Sequence, residues 1–192
     1  MINKALRILI YTGGTIYLTA AMTGPFWAVY VNKVGGDFEI AGIAVAILFF
    51  VRGLLSIFIS RFENKFKETE YFLVIGGLLR TLGFMGYVFA SQPWHLGVIS
   101  FILGTADAII YPAADALFAR HVQKNVDVSQ WGWWEVMESW GTALGALAGG
   151  ILVTYFGYSG AFVVMASMSF INSFVILILP RRTLYILNYL KF

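Results

Sequence analysis

The chain has no cysteine and only two histidines, His95 and His121, in 192 residues. Neither a disulfide framework nor a thiolate metal site can be built from it, and two histidines are too few for a histidine-built centre. No metal and no other cofactor is therefore expected. Charge is scarce as well. Asp, Glu, Lys and Arg together make 12% of the residues, where a soluble domain carries roughly 25%. A basic stripe is also lacking: the pI of about 9.2 comes from lysines and arginines set beside apolar runs. That is the pattern of membrane topology and not of a nucleic-acid interface. A cleavable signal peptide is not expected, because the first apolar run continues past the usual length without a small-x-small site to close it.

What the chain has in excess is apolar residues, 59% of the total, gathered into runs long enough to cross a bilayer as helices at about 1.5 Å per residue. Six spans are expected, at 5–31, 40–59, 71–90, 94–118, 131–155 and 161–179. The expected fold class is thus all-α integral membrane, with one six-helix domain over 1–180 and a short basic cytoplasmic tail over 181–192. The first span is expected to be interrupted at Gly13-Gly14 and at Gly24-Pro25. With the N-terminus placed in the cytoplasm, ten of the 13 lysines and arginines fall on that side and only Lys33 falls opposite. This bias puts both termini in the cytoplasm of a protein of the plasma (cytoplasmic) membrane. Any two copies would then insert in parallel.

Charges inside spans cost roughly 2.5–3.5 kcal/mol each on insertion scales, so each should face a partner or a wet cavity. Arg52, Arg80, Asp107, Asp115, Glu135 and Glu138 are the ones to place. Asp107, Tyr111 and Asp115 follow at steps of four and share one helical face. The bland reading of Asp107 is an ion pair with Arg80, which lies at similar depth on the neighbouring span. Thr12, Thr15, Thr19, Thr23 and Tyr30 form a mildly polar face on the first span, open to use as helix glue or as cavity lining; Thr15, Thr19 and Tyr30 are kept as cavity candidates.

The stretch WGWWEVMESWGTALGALAGGILVTY, 131–155, combines two functions on one helix. Glu135 lies close to the membrane surface and Glu138 deeper, a candidate for coupling or for an interface. Gly141, Gly145 and Gly149 recur every four residues, with Gly150 beside the last, as a seam where another backbone can approach closely. Trp94, Trp131 and Trp27 read as members of aromatic belts. Trp133, Trp134 and Trp140 span several faces of one helix, so not all can line a ring-stacking site.

The run GTALGALAGG, 141–150, resembles the fifth-helix GxxxGPxxGG motif of the major facilitator superfamily, with Ala146 at the usual proline. Pro25 near the outer end of a long first span, and the Gly157-Tyr158 turn before the last, are similar to that family's N-terminal half. FWAVYVNKVGGDFEIAGIAVAI and SQWGWWEVM resemble its short, six-span members. Two patterns depart from the family. Ser56–Lys65, SIFISRFENK, stands where GxxxDRxGRR is usual and keeps only Arg61 and Lys65 of it. In the fourth-helix pattern RxxxGxxxA, Gly104 and Ala108 fit, but Ser100 takes the place of the arginine, so proton coupling through that residue is not carried over.

The resemblance implies a transporter half that needs a second half to close its cavity. A parallel homodimer supplies one, with a small solute bound between copies of the first and fourth helices and moved by alternating access. Asp107 and Tyr111 then become substrate-facing, Asp115 lies nearer the cytoplasmic mouth, and Arg80, on a peripheral helix, becomes structural. The second helix of one copy would meet the fifth of the other, which suggests an Arg52–Glu138 contact between subunits. Two Asp107 carboxylates in one cavity would allow proton-linked transport. A polar metabolite, a sugar and a cationic amphiphile all suit an acidic, aromatic cavity. The alternative is a non-transporting membrane interaction subunit, or half of a heteromeric transporter. The Met start and basic tail favour a complete half-size chain over a piece of a longer one. Gly157-Tyr158-Ser159-Gly160 spells the GxSG of rhomboid proteases, but no histidine follows Ser159 to act as its base, and no enzyme is expected.

Overall fold

The apolar runs become helices because a segment away from water must bond every backbone N–H and C=O within itself. The structure, a computed structural model, describes residues 4–63, 69–122 and 127–175. Its elements are α1 (Lys4–Ala21), a 3₁₀ turn (Gly24–Phe26), α2 (Trp27–Lys33), α3 (Phe38–Glu63), α4 (Glu70–Phe89), α5 (Pro93–His121) and α6 (Asp127–Val175), with no strand among the described residues. Four of them, α3 to α6, are long and apolar enough to cross a membrane.

Chain breaks fall where a residue forces them. In the first run Pro25, which has no N–H to donate, opens the 3₁₀ turn and separates α1 from α2. Gly13-Gly14 does not interrupt α1, contrary to the expectation from sequence. A Cβ at Gly13 would stand 2.8 Å from the Trp134 ring, so the glycine admits an aromatic side chain to the flank of an intact helix. Within α6, Gly157 alone leaves helical geometry, at φ 69° and ψ 179°. Only glycine reaches that conformation without strain, and it divides α6 into limbs of 127–156 and 158–175. The expected 157–160 turn is thus reduced to one residue. The last expected span continues, and the basic tail falls, beyond residue 175, outside the described residues. The stretch Ser56–Lys65 is helical as far as Glu63, and its remainder is likewise outside them.

α5 is the hub: α3 and α4 pack on it, while α6 packs on α1 and α4. The α1–α6 contact runs along the glycine period. A Cβ at Gly141 would lie 2.7 Å from the Gly14 carbonyl oxygen, and at Gly145 and Gly149 it would run into the carbonyls of Leu18 and Met22. Gly150 faces open space. The partner of the glycine face is therefore α1 of the same chain. Burial is inverted relative to a water-soluble bundle. α3 has the highest mean hydropathy of the long helices, 2.4, and the least buried surface. In water, exposing Phe49, Phe50, Leu54 and Phe58 would cost about 25 cal/mol per Å²; hydrocarbon removes that cost.

Candidate functional site

The period of three and four that makes a helix face also makes the site. Positions 45, 48, 49 and 52 of α3 and 100, 103, 107 and 111 of α5 recur at that spacing, and with Arg80, Phe84 and Tyr87 of α4 and the region from Ala20 to Trp27 they wall a cavity of about 330 Å³. Arg80 is fully enclosed in its rim. Its Nη2 donates to Asp107 Oδ1 at 2.7 Å and lies 3.4 Å from the Tyr111 hydroxyl, and its Nη1 donates to the Ile16 carbonyl at 3.2 Å. Asp107 thus carries an ion pair and faces the cavity at once, and Arg80 shares both places. From the other side Arg52 stacks on Tyr111, its guanidinium carbon 3.9 Å from the ring centre.

A second, more open cavity of about 500 Å³ is lined by Tyr17, Asp115, Trp131, Trp134, Glu135 and Glu138. Three carboxylates meet here, from α5 and the first limb of α6, and none forms an ion pair among the described residues. Trp134 is the buried tryptophan of its cluster, stacked at 4.5 Å on Phe118, while Trp133 and Trp140 are exposed. His95 is a helix cap: its Nδ1 accepts from the Gln92 N–H. Among the described residues no His, Cys, Asp or Glu cluster could hold a metal.

Three of the cavity candidates lie elsewhere. Thr15 donates to Asn172 Oδ1 at 2.7 Å, tying α1 to the second limb of α6. Thr19 returns its hydroxyl to the Thr15 and Ile16 carbonyls in the buried interior. Tyr30 is buried among Tyr87, Phe162 and Trp27 and donates to the Tyr87 carbonyl oxygen. The polar face of α1 turns toward α4 and α6, and of its threonines only Thr23, at its end, reaches the first cavity. Trp27, read from the sequence as an aromatic-belt residue, lines that cavity, as do Phe49, Phe84 and Tyr87, which the sequence did not mark. On α3 the signal was available: Phe49 precedes Arg52 by three, on its face.

The Major Facilitator Superfamily profile matches residues 9–186, nearly the whole chain. The chain belongs to the major facilitator superfamily. It is therefore an integral membrane protein of a transporter family. It is 28% identical over 179 residues to the multidrug resistance protein MdtG of Dickeya zeae, covering 91% of this chain and 43% of that protein. To MdtG of Serratia proteamaculans it is 23% identical over 173 residues, covering 88% and 42%. The fold is similar to that of the POT family transporter PepTSo, with a TM-score of 0.72 at 13% identity, over 95% of this chain and 38% of that one. The chain thus spans less than half the length of the relatives it matches.

Within the superfamily frame the departure at Ser100 acquires a structural counterpart. Ser100 is buried in the wall of the first cavity, where the guanidinium beside Asp107 is that of Arg80 on α4.

Proposed function

We propose that this chain is one half of a small-solute transporter of the cytoplasmic membrane. In this reading it crosses six times as a single domain over 1–180, has both termini in the cytoplasm, and pairs in parallel with a second copy. The solute binds between the copies and moves by alternating access. The observation that carries the proposal is the Arg80–Asp107 pair in the wall of an open cavity, since ionised groups at membrane depth mark solute paths. Being shorter than half the length of its MdtG relatives supports the need for a second half. Their name, multidrug resistance protein, and the lining by Trp27, Phe49 and Phe84 favour an amphiphilic solute over a sugar.

Arg52 and Glu138 are the proposed contact between copies. In the single chain Arg52 lies inward over its own Tyr111, so that contact would form as the cavity closes. Asp107 is held by Arg80, and this pairing weakens the case for proton coupling through two free carboxylates.

The test is the molar mass of the protein component in mild detergent and in nanodiscs, followed by flux in liposomes. Twice 21.4 kDa with solute flux supports the homodimeric transporter. One chain mass in both media opposes it and turns attention to a different chain as the other half. A dimer without flux of any amphiphile tested supports the non-transporting subunit.

A further inference from the structure

The cavity between α3, α4 and α5 carries two guanidiniums, Arg52 and Arg80, and one carboxylate, Asp107. Asp107 is taken by Arg80 at 2.7 Å. Arg52 has no ion-pair partner among the described residues; its guanidinium rests on the Tyr111 ring. Asp115, one helical turn further along α5, lines the other cavity and forms no ion pair with Arg52. A cation–π contact offsets only part of what an arginine costs at membrane depth. Beyond Thr23 and Ser100, most of the remaining lining is apolar, including Val45, Leu48, Phe49, Phe84 and Leu103.

We infer that this cavity binds a small amphiphilic organic monoanion, its acidic group on Arg52 and its apolar body along Phe49, Phe84 and Leu103. The planar guanidinium fork fits a carboxylate or a phosphonate oxygen pair, and a lining with one net positive charge fits one negative charge on the ligand. A cationic amphiphile would meet Arg52 without a free carboxylate to offset it. The inference deepens the transporter proposal and rests on it for what the bound anion is for; the binding itself is a property of the one chain. In the proposed dimer Glu138 of the second copy and the ligand would compete for Arg52, so that binding and closure exclude each other at that residue.

The experiment uses the full chain in nanodiscs of zwitterionic lipid, titrated calorimetrically with 4-phenylbutyrate, 4-phenylbutyramide and 4-phenylbutylamine, with empty nanodiscs subtracted. These three share one apolar body and differ in charge. The expected result is that the carboxylate binds roughly tenfold or more tighter than the amide, as a charge-assisted hydrogen bond supplies, and the amine weakest. Arg52→Gln should abolish the preference, Arg52→Lys should retain part of it, and Arg7→Gln, an exposed position outside the cavity, should leave it intact. The inference is overturned if the amide or amine binds as tightly as the carboxylate, or if Arg52→Gln keeps the preference. Selective binding without flux in liposomes would remove the transporter reading and leave the site standing. Flux of an amine without anion preference would do the reverse.

Discussion

Arg80 and Asp107, on adjacent helices, share a 2.7 Å ion pair with side chains only 3% and 10% exposed. Removing one partner leaves an uncompensated buried charge, which costs about 3–5 kcal/mol, while replacing both with apolar residues is far milder. Arg80→Met and Asp107→Leu should each lower the unfolding temperature in detergent sharply, and the double variant should recover most of the loss. Additive damage, with the double variant losing the sum of the two single losses, would mean that the two residues do not act as a pair.

The glycine seam on α6 makes a graded prediction. Gly145→Val and Gly149→Val drive side chains into the Leu18 and Met22 carbonyls, and overpacking of this kind costs about 1–3 kcal/mol. Gly150→Ala, in open space, should be neutral or slightly stabilising, because alanine favours the helix by roughly 0.5–1 kcal/mol. Thermal unfolding followed by circular dichroism separates the two classes. Similar losses at 149 and 150 would contradict the packing.

Tyr30→Phe removes one hydroxyl from a buried aromatic cluster and leaves the Tyr87 carbonyl oxygen without that donor. A stability loss of about 0.5–1.5 kcal/mol is expected, with ligand titration curves unchanged, since Tyr30 does not line either cavity. A shifted affinity at unchanged stability would place Tyr30 in the site after all.

The proposed contact between copies is open to charge exchange. Arg52→Glu and Glu138→Arg should each reduce the dimer fraction by light scattering, and the double variant should restore it. Anion preference should stay lost in the double variant, because position 52 is then acidic. If the exchange restores no dimer, Arg52 and Glu138 do not meet across subunits.

The lack of native cysteine makes topology directly measurable. Asn32→Cys, exposed at the end of α2, should react with an impermeant thiol reagent added outside intact cells. Arg61→Cys, exposed near the end of α3, should react only after the membrane is opened. The reverse pattern would invert the proposed orientation.

Much of the site could be read from residue order, because a helix repeats every 3.6 residues and charges at membrane depth are few. The steps 107, 111 and 115 and the glycines at 141, 145 and 149 stand out for that reason. The limit shows in the same helices. Thr12, Thr15 and Thr19 share a face by spacing, but spacing does not say which neighbour that face meets, and here Asn172 meets Thr15. Gly13-Gly14 looks like a break until Trp134, 121 positions later in the chain, is seen to fill the notch.

Residue order by itself determined where the chain is apolar enough to leave water, which charges enter the apolar runs and which residues share a helical face. Those follow from composition and from the local geometry of one helix. Only the tertiary structure decided that Arg80 takes Asp107 and that Arg52 rests on the Tyr111 ring. It also decided that the glycines close on α1 of their own chain. The reason is that the rotation and depth of one helix against another are set by packing between residues far apart in the sequence, to which no local period gives access.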